Sequence, residues 1–332
     1  MKKISFIGCG SWGGALGKVL SDKGFFVKMW LRDPEVVSAI ELSRKHYIIP
    51  ELKFNENVSF TSDLKTVINY SSIIVLAIPS QSIRSILEQN LEIFKKDKTI
   101  VNISKGIEVD TLMTISQIIK NIAGSSFTKI VTLSGPSHAE EVIKQFPTTL
   151  VSASEDEKSG KHIQELFHTH FLRTYYNKDI LGVELGGSMK NVIAIAAGIC
   201  DGIGYGDNSK AALITRGMAE ITRLGNNMGA KNDTFMGLSG FGDLIVTCLS
   251  KHSRNRQIGQ AIGEGQDLAF IQKNMNMVAE GVNTAKSVYK ISSKYKIEMP
   301  IHEGIYNILF CKSDPKISVQ NLMSRKLSIE NK

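Results

Sequence analysis

Short apolar runs closed by glycine, proline or polar residues recur through the first half of the chain. Lys3 to Ile7, Phe25 to Leu31, Ser72 to Ile78, Thr99 to Ile103 and Ile130 to Leu133 read as buried strands, with Thr148 to Ala153 and Leu172 to Asn177 as further strands. Helical spacing fills the gaps: Ala15, Leu16, Val19 and Leu20, then 34–44, 111–122 and a polar helix over 156–167. Such alternation predicts a doubly wound, largely parallel sheet with crossover helices. After Leu181 the strand-like runs stop, and helical spacing continues to the end, most clearly over 208–228, 278–292 and 300–310.

The first strand runs straight into Gly8-Cys9-Gly10-Ser11-Trp12-Gly13, a G-x-G-x-x-G that opens a helix. Strand, glycine turn and helix in that order suit a dinucleotide, whose pyrophosphate approaches the free N–H groups of the helix N-terminus. The competing reading is an ordinary tight turn, and the context favours the dinucleotide. The second strand ends at Arg32-Asp33. An acidic residue here would take the ribose 2′-hydroxyl of NAD, and an arginine the 2′-phosphate of NADP. Asp33 before Pro34 is equally well explained as a helix cap, so the reading leans to Arg32 and NADP and leaves NAD open.

Bulk properties narrow the class. The chain has 332 residues, 42% hydrophobic and 22% charged, an ordinary globular composition long enough for two domains. A net charge of +8 is scattered, with no basic stripe or aromatic platform, which suits an anionic small molecule better than nucleic acid. Cys9, Cys200, Cys248 and Cys311 form no CxxC pair, so neither a disulfide framework nor a zinc site is expected. His168 and His170 read as surface histidines, and no metal is expected. The apolar start is broken by Gly8 and Gly10, and no stretch is expected to span a membrane; a cytoplasmic enzyme is the expectation.

Lys190 is the most suggestive residue. It stands between Gly186-Gly187 and an apolar Val192–Gly198 run, with no other charge until Asp201. Desolvation there would lower its pKa and make it a proton donor near neutrality; a lysine that floats its amine to the surface is the alternative. Lys105 would sit at the carboxyl edge of the sheet, or be a turn lysine in solvent. Ser137, three residues before Glu140, reads as a capping box, a substrate contact or both. Asp243 is open between helix cap and partner of Lys190. Ser253-Arg254-Asn255 begins a helix, where a guanidinium beside free N–H groups would cradle a phosphate, against a solvated basic turn including Arg256. Glu220 is expected to pair within its own helix, Arg216 to be structural, and Glu280 to complement a helix dipole.

Taken together, GCGSWGGALG (8–17), SKGIE (104–108), LSGPSHAEEV (133–142), the long segment over 185–225, GLSGFGDLIVTC (237–248), SRNR (253–256) and VAEGVNTAK (278–286) resemble the bacterial-type NAD(P)-dependent glycerol-3-phosphate dehydrogenases over nearly the whole chain. The resemblance implies a Rossmann-type domain over 1–182, an all-α substrate-binding domain over 183–332, a homodimer, and a place in glycerophospholipid synthesis. It implies interconversion of dihydroxyacetone phosphate and sn-glycerol 3-phosphate with NAD or NADP. Lys190 would be the general acid and base, with Lys105 and Asp243 beside it. Lys105, Gly135, Ser137, Lys190, Asn191, Asp243, Thr247, Ser253, Arg254 and Asn255 would surround the substrate. Gly8, Gly10, Ser11, Trp12, Gly13, Arg32, Lys105, Ala139, Arg254, Val278 and Glu280 would contact the cofactor. His138 and Ser188 depart from the family's usual Phe and Ala and are taken as packing variants. Two other readings remain: a β-hydroxyacid-type dehydrogenase of the same two-domain plan, which the SRN segment argues against, and an NAD(P) sensor without turnover.

Overall fold

A computed structural model of the chain describes residues 2–94, 98–124, 129–275, 279–327 and 329–330. Its first half is built on β1 (Lys3–Ile7), β2 (Phe26–Trp30), β3 (Val58–Thr61), β4 (Ile73–Leu76), β5 (Thr99–Asn102), β6 (Ile130–Ser134), β7 (Thr148–Ala153) and β8 (Leu172–Asn177). These form one eight-stranded sheet in the order β3-β2-β1-β4-β5-β6-β7-β8. Every pairing is parallel except β6 with β7. The central strands are covered on both faces, which is why β1, β4, β5 and β6 read as unbroken apolar runs. One face carries Leu16, Val27, Met29 and Val131, the other Ile68, Ile74, Leu76 and Ile118. From β1 the order proceeds to β2 and β3 on one side and to β4 on the other. The carboxyl ends of β1 and β4 therefore flank the crevice where open α/β sheets bind ligands.

β3 and the helix Leu64–Tyr70 have no counterpart among the elements that the sequence pattern predicts. β3 is an edge strand of four residues, Val58 and Phe60 inward and alternating with Ser59 and Thr61, so its apolar signal is slight. The helix expected from Thr111 starts at Ile115 instead: Leu112 adopts a φ of 63°, and Thr114 with Gln117 forms a capping box.

Among the described residues no strand follows Asn177, and the second half is organised on the helix Ile180–Ile203. This helix is long and apolar enough to cross a membrane, contrary to the expectation that no stretch would be; 94% of its apolar window is buried inside the protein. Its apolar surface is matched by Ile221, Leu224, Ile258, Val282 and Val288 from neighbouring helices. The helix Arg254–Gly263 approaches it to backbone contact. A Cβ at Gly198 would fall 1.9 Å from the Arg256 carbonyl oxygen, and one at Gly259 1.9 Å from that of Ile195. Glu220 does not pair within its helix. It is 3% exposed and accepts the N–H groups of Ile301 and His302 and the Nδ1 of His302 at 2.7 Å, tying two helices together. Arg216 donates to the Glu330 carbonyl at 3.0 Å.

Candidate active site

The carboxyl edge of the sheet and the start of the long helix meet over β5 and β6. Asn102 shapes the turn after β5: its Oδ1 accepts the Ser104 N–H at 2.9 Å and its Nδ2 donates to the Ser104 carbonyl at 3.1 Å. Lys105 follows. Gly135, directly after β6, has a φ of 139°, and a Cβ there would lie 2.9 Å from the Thr149 carbonyl oxygen. The Gly135 carbonyl accepts from Lys105 Nζ at 3.2 Å and from Ser137 Oγ at 2.9 Å. Ser137 is thus no capping residue; His138 precedes the helix Ala139–Val142 and makes no side-chain cap bond.

Gly186 and Gly187 let the long helix down onto this edge, one against the Ser239 carbonyl and the other against Ser134 Oγ. Three residues on, Lys190 is 5% exposed. Its ammonium donates to Thr247 Oγ1 at 2.6 Å and lies 2.9 Å from Asp243 Oδ1. Lys105 Nζ stands 2.6 Å from the other oxygen, Asp243 Oδ2. Thr247 gives its own proton to the Asp243 carbonyl at 2.6 Å, so its oxygen is oriented to accept from Lys190. Asp243 is delivered by a π-helical turn, Leu238–Gly242, and heads the helix Asp243–Leu249 with its carboxylate turned to the lysines rather than to the helix N-terminus.

Electrostatics follow from that geometry. Burial pushes the Lys190 pKa down; the Asp243 carboxylate opposes this, Lys105 adds to it, and the outcome is about 8. Burial alone would raise the Asp243 carboxyl, but Lys105 and Lys190 overcome it and hold it below the ordinary carboxylate value. One carboxylate between two ammonium groups leaves a net positive site suited to an anion. His138 lies close enough for burial and then the Lys190 charge to lower its pKa, and its Nε2 is buried with no hydrogen-bond partner.

On the far side, Ser253 caps the helix Arg254–Gly263, its Oγ accepting the Arg256 N–H at 3.3 Å. The two neighbouring arginines separate: Arg256 pairs with Asp201 at 2.6 Å, while Arg254 is exposed with Glu280 and Glu140 in its field. Asn255 Oδ1 accepts the Gly281 N–H at 3.0 Å. Glu280 heads the helix Glu280–Tyr295, yet its carboxylate reaches out of the helical half. It accepts the Ser80 N–H at 2.8 Å and the Ser80 hydroxyl at 2.5 Å, just past β4. Burial raises its pKa against those bonds. Asn191 and Thr247 are buried beside the lysine cluster, and Ala139 is buried at its helix start. Val278 falls outside the described residues.

The glycine turn after β1 fits a dinucleotide. Gly8 has a φ of 105°, and a Cβ there would strike the Ala77 carbonyl oxygen at 2.4 Å; one at Gly13 would meet Ala77 Cβ at 2.8 Å. Those two glycines seat the turn against β4. A Cβ at Gly10 would meet no protein atom within 4 Å, so the protein itself does not require glycine there, whereas a closely approaching phosphate does. The helix Ser11–Asp22 starts at Gly10 without a side-chain cap, and Trp12 Nε1 is buried with no partner. Asp33 is committed to capping, accepting the Glu35 N–H at 2.9 Å, and Arg32 beside it is exposed just beyond β2.

Two site features went unseen in the sequence. Glu184, 5% exposed, accepts from Ser116 N and Oγ, Thr132 Oγ1 and Asn102 Nδ2, fastening the foot of the long helix to β5 and β6. Ser80, in the turn just past β4, receives Glu280. Both are joined to partners far along the chain, which no local pattern signals.

A glycine turn suited to a nucleotide, together with a buried lysine–carboxylate pair at the sheet's carboxyl edge, fits a nicotinamide-dependent oxidoreductase with a sheet half and a helical half. Family models described as the N-terminus and C-terminus of NAD-dependent glycerol-3-phosphate dehydrogenase match residues 3–160 and 179–320. The chain belongs to the NAD-dependent glycerol-3-phosphate dehydrogenase family. It is 46% identical over 327 residues to glycerol-3-phosphate dehydrogenase [NAD(P)+] of Bacillus subtilis (strain 168), covering 98% of this chain and 95% of the relative. It is 48% identical over 323 residues to the enzyme of the same name from Thermoanaerobacter sp. (strain X514), covering 97% of each. The crystal structure of glycerol-3-phosphate dehydrogenase from Coxiella burnetii superposes with a TM-score of 0.93 at 34% identity, covering 98% of this chain and 99% of that one.

Proposed function

We propose that this chain interconverts dihydroxyacetone phosphate and sn-glycerol 3-phosphate with NAD(H) or NADP(H), supplying a precursor of glycerophospholipids, with Lys190 as general acid and base. When bound, the nicotinamide supplies or takes up the hydride. Lys190 gives its proton to the alkoxide oxygen as the ketone is reduced, and takes it back in oxidation. A pKa near 8 suits both directions, since either form is accessible close to neutrality. Asp243 and Thr247 fix the direction of the Lys190 ammonium, and Lys105 stabilises negative charge on the substrate beside Gly135 and Ser137. Arg254, at a helix N-terminus capped by Ser253, holds the substrate phosphate with Asn255, and this remote binding aligns the reacting carbon beside Lys190 and Asn191. Gly8, Gly10, Ser11, Trp12 and Gly13 cradle the cofactor's pyrophosphate, with Arg32, Ala139 and Glu280 lining its remaining length. The division into a cofactor domain over 1–182 and a substrate domain over 183–332, a homodimer and a cytoplasmic setting belong to the same reading.

The observation that carries it is Asp243 standing between Lys190 and Lys105 at the sheet's carboxyl edge, in a chain of this family. Initial rates of NADH and NADPH consumption with dihydroxyacetone phosphate test it. Consumption only with small β-keto acids would favour the hydroxyacid reading, and tight cofactor binding without turnover on any ketone would favour a sensor.

A further inference from the structure

The loop between the helix Pro34–Ser43 and β3 sends one side chain back beneath the glycine turn. His46 is 1% exposed, although nothing around it in sequence suggests a core position. Its Nδ1 faces two backbone donors, the N–H groups of Ile48 and Ile49, each at 3.1 Å. A nitrogen approached by two donors carries no proton, so the ring's proton sits on Nε2. That Nε2 lies 2.9 Å from the Cys9 carbonyl oxygen and donates to it. The ring is held in place by stacking on Tyr47, with centroids 4.9 Å apart, and by Phe54 behind it. It also explains a glycine that the dinucleotide motif leaves unexplained: a Cβ at Gly14 would lie 2.6 Å from the His46 ring.

Cys9 is the residue between Gly8 and Gly10, so its carbonyl belongs to the peptide that leads into Gly10. In a trans peptide the C=O and the following N–H point in opposite directions. A donor fixed on the Cys9 carbonyl therefore aims the Gly10 N–H the other way, at the head of the first-turn N–H groups of the helix Ser11–Asp22. Gly10, on the amide side of this peptide, leaves its φ little steric resistance to rotation. The Cys9 thiol takes no part: it is buried, and burial pushes its pKa up.

We propose that His46 is a positioning residue for the dinucleotide, locking the Cys9–Gly10 peptide in the orientation that presents the turn's N–H groups to the pyrophosphate. The proposal rests on the glycine turn being the cofactor site. His46 does not touch the cofactor; it acts through the Cys9 carbonyl.

The two ring nitrogens allow the role to be split. In His46→Gln the amide nitrogen reaches the place of Nε2 and keeps the donor to Cys9, without an acceptor at Nδ1. In His46→Asn the amide oxygen occupies the place of Nδ1 and keeps the bonds to Ile48 and Ile49, without reaching Cys9. NADH and NADPH are titrated calorimetrically into the ligand-free full chain, and thermal unfolding of the same samples is recorded. His46→Asn should bind both dinucleotides about five- to tenfold more weakly, the loss of one hydrogen bond that fixes the turn, while His46→Gln stays within about twofold of wild type. The ordering of unfolding temperatures should not follow that of affinities, because the bonds to Ile48 and Ile49 support the loop itself. Equal affinities in all three proteins, or Gln binding weakly while Asn binds normally, would overturn the proposal and leave His46 as loop support. A wild type that binds neither dinucleotide would instead remove the cofactor reading on which the proposal stands.

Discussion

Replacing Asp243 by Asn removes one charge and almost no volume from the centre of the site. At 2.9 Å and an effective dielectric near 20, the attraction between Lys190 and Asp243 is about 6 kcal/mol before any compensating loss of hydration. Even one third of it, about 2 kcal/mol, corresponds to roughly one and a half pKa units of Lys190 at about 1.36 kcal/mol per unit. Lys190 stands at about 8 in the intact site. The variant lysine should therefore lose its proton at or below neutrality, and the neighbouring Lys105 ammonium, 2.6 Å from the same carboxylate, pushes it in the same direction. Reduction requires the protonated form, so wild-type kcat for reduction should fall as pH rises through about 8, and oxidation should gain over the same interval.

In Asp243→Asn the fall in the reductive direction should move to lower pH by roughly one and a half units, with turnover near neutrality reduced about fourfold through loss of the Lys190 proton and restored on acidification. The assay is the initial rate of NADH or NADPH oxidation with saturating dihydroxyacetone phosphate, followed over roughly pH 5.5 to 9.5 alongside the reverse reaction. Thermal unfolding of the same samples checks that the fold persists. A variant that stays folded and keeps the wild-type pH profile would refute the reasoning, because no other carboxylate lies within salt-bridge distance of Lys190 among the described residues.

Arg254→Ala should raise the KM for dihydroxyacetone phosphate at least about tenfold, the loss of a charge-assisted hydrogen bond, with a smaller effect on kcat; steady-state kinetics decide it, and an unchanged KM removes the phosphate assignment. Lys190→Met tests the buried amine through stability. A folded pKa depressed from 10.5 to about 8 means that the unfolded chain holds the proton over that window, so raising the pH favours the folded wild type. Relative to the Met variant, wild type should gain ~3 kcal/mol in urea unfolding between about pH 8 and 10.5, and a constant difference would argue against a desolvated lysine. Gly259→Ala puts a methyl 1.9 Å from the Ile195 carbonyl oxygen; it should cost at least about 1–3 kcal/mol by the same measure and push the helix that begins at Arg254 away from the long helix.

The sheet and the lysine were legible because each writes itself locally. Strands covered on both faces leave apolar runs, the glycine turn leaves its spacing, and Lys190 interrupts an otherwise uncharged helix. The carboxylates were harder, because several Asp and Glu residues at helix starts invite the same explanation. Asp33 is exposed and accepts the N–H two residues on, as a cap should. Glu280 opens its helix with equal claim to that role, yet its carboxylate takes Ser80, 200 residues away in sequence. Glu220 and Glu184 likewise satisfy donors 81 and 68 residues distant. The difference is solvation. A carboxylate in water loses little by serving its own helix end, whereas one enclosed by protein must find enough donors to replace its lost hydration, and one helix turn does not supply them. The buried acids consequently act as clasps between elements. Glu184 joins the helix that carries Lys190 to the strand that leads into Lys105, and Asp243 joins the two lysines directly. The distance between the two ammonium groups is thus set by carboxylates that no window of sequence relates to one another, and the chemistry of the site depends on that distance.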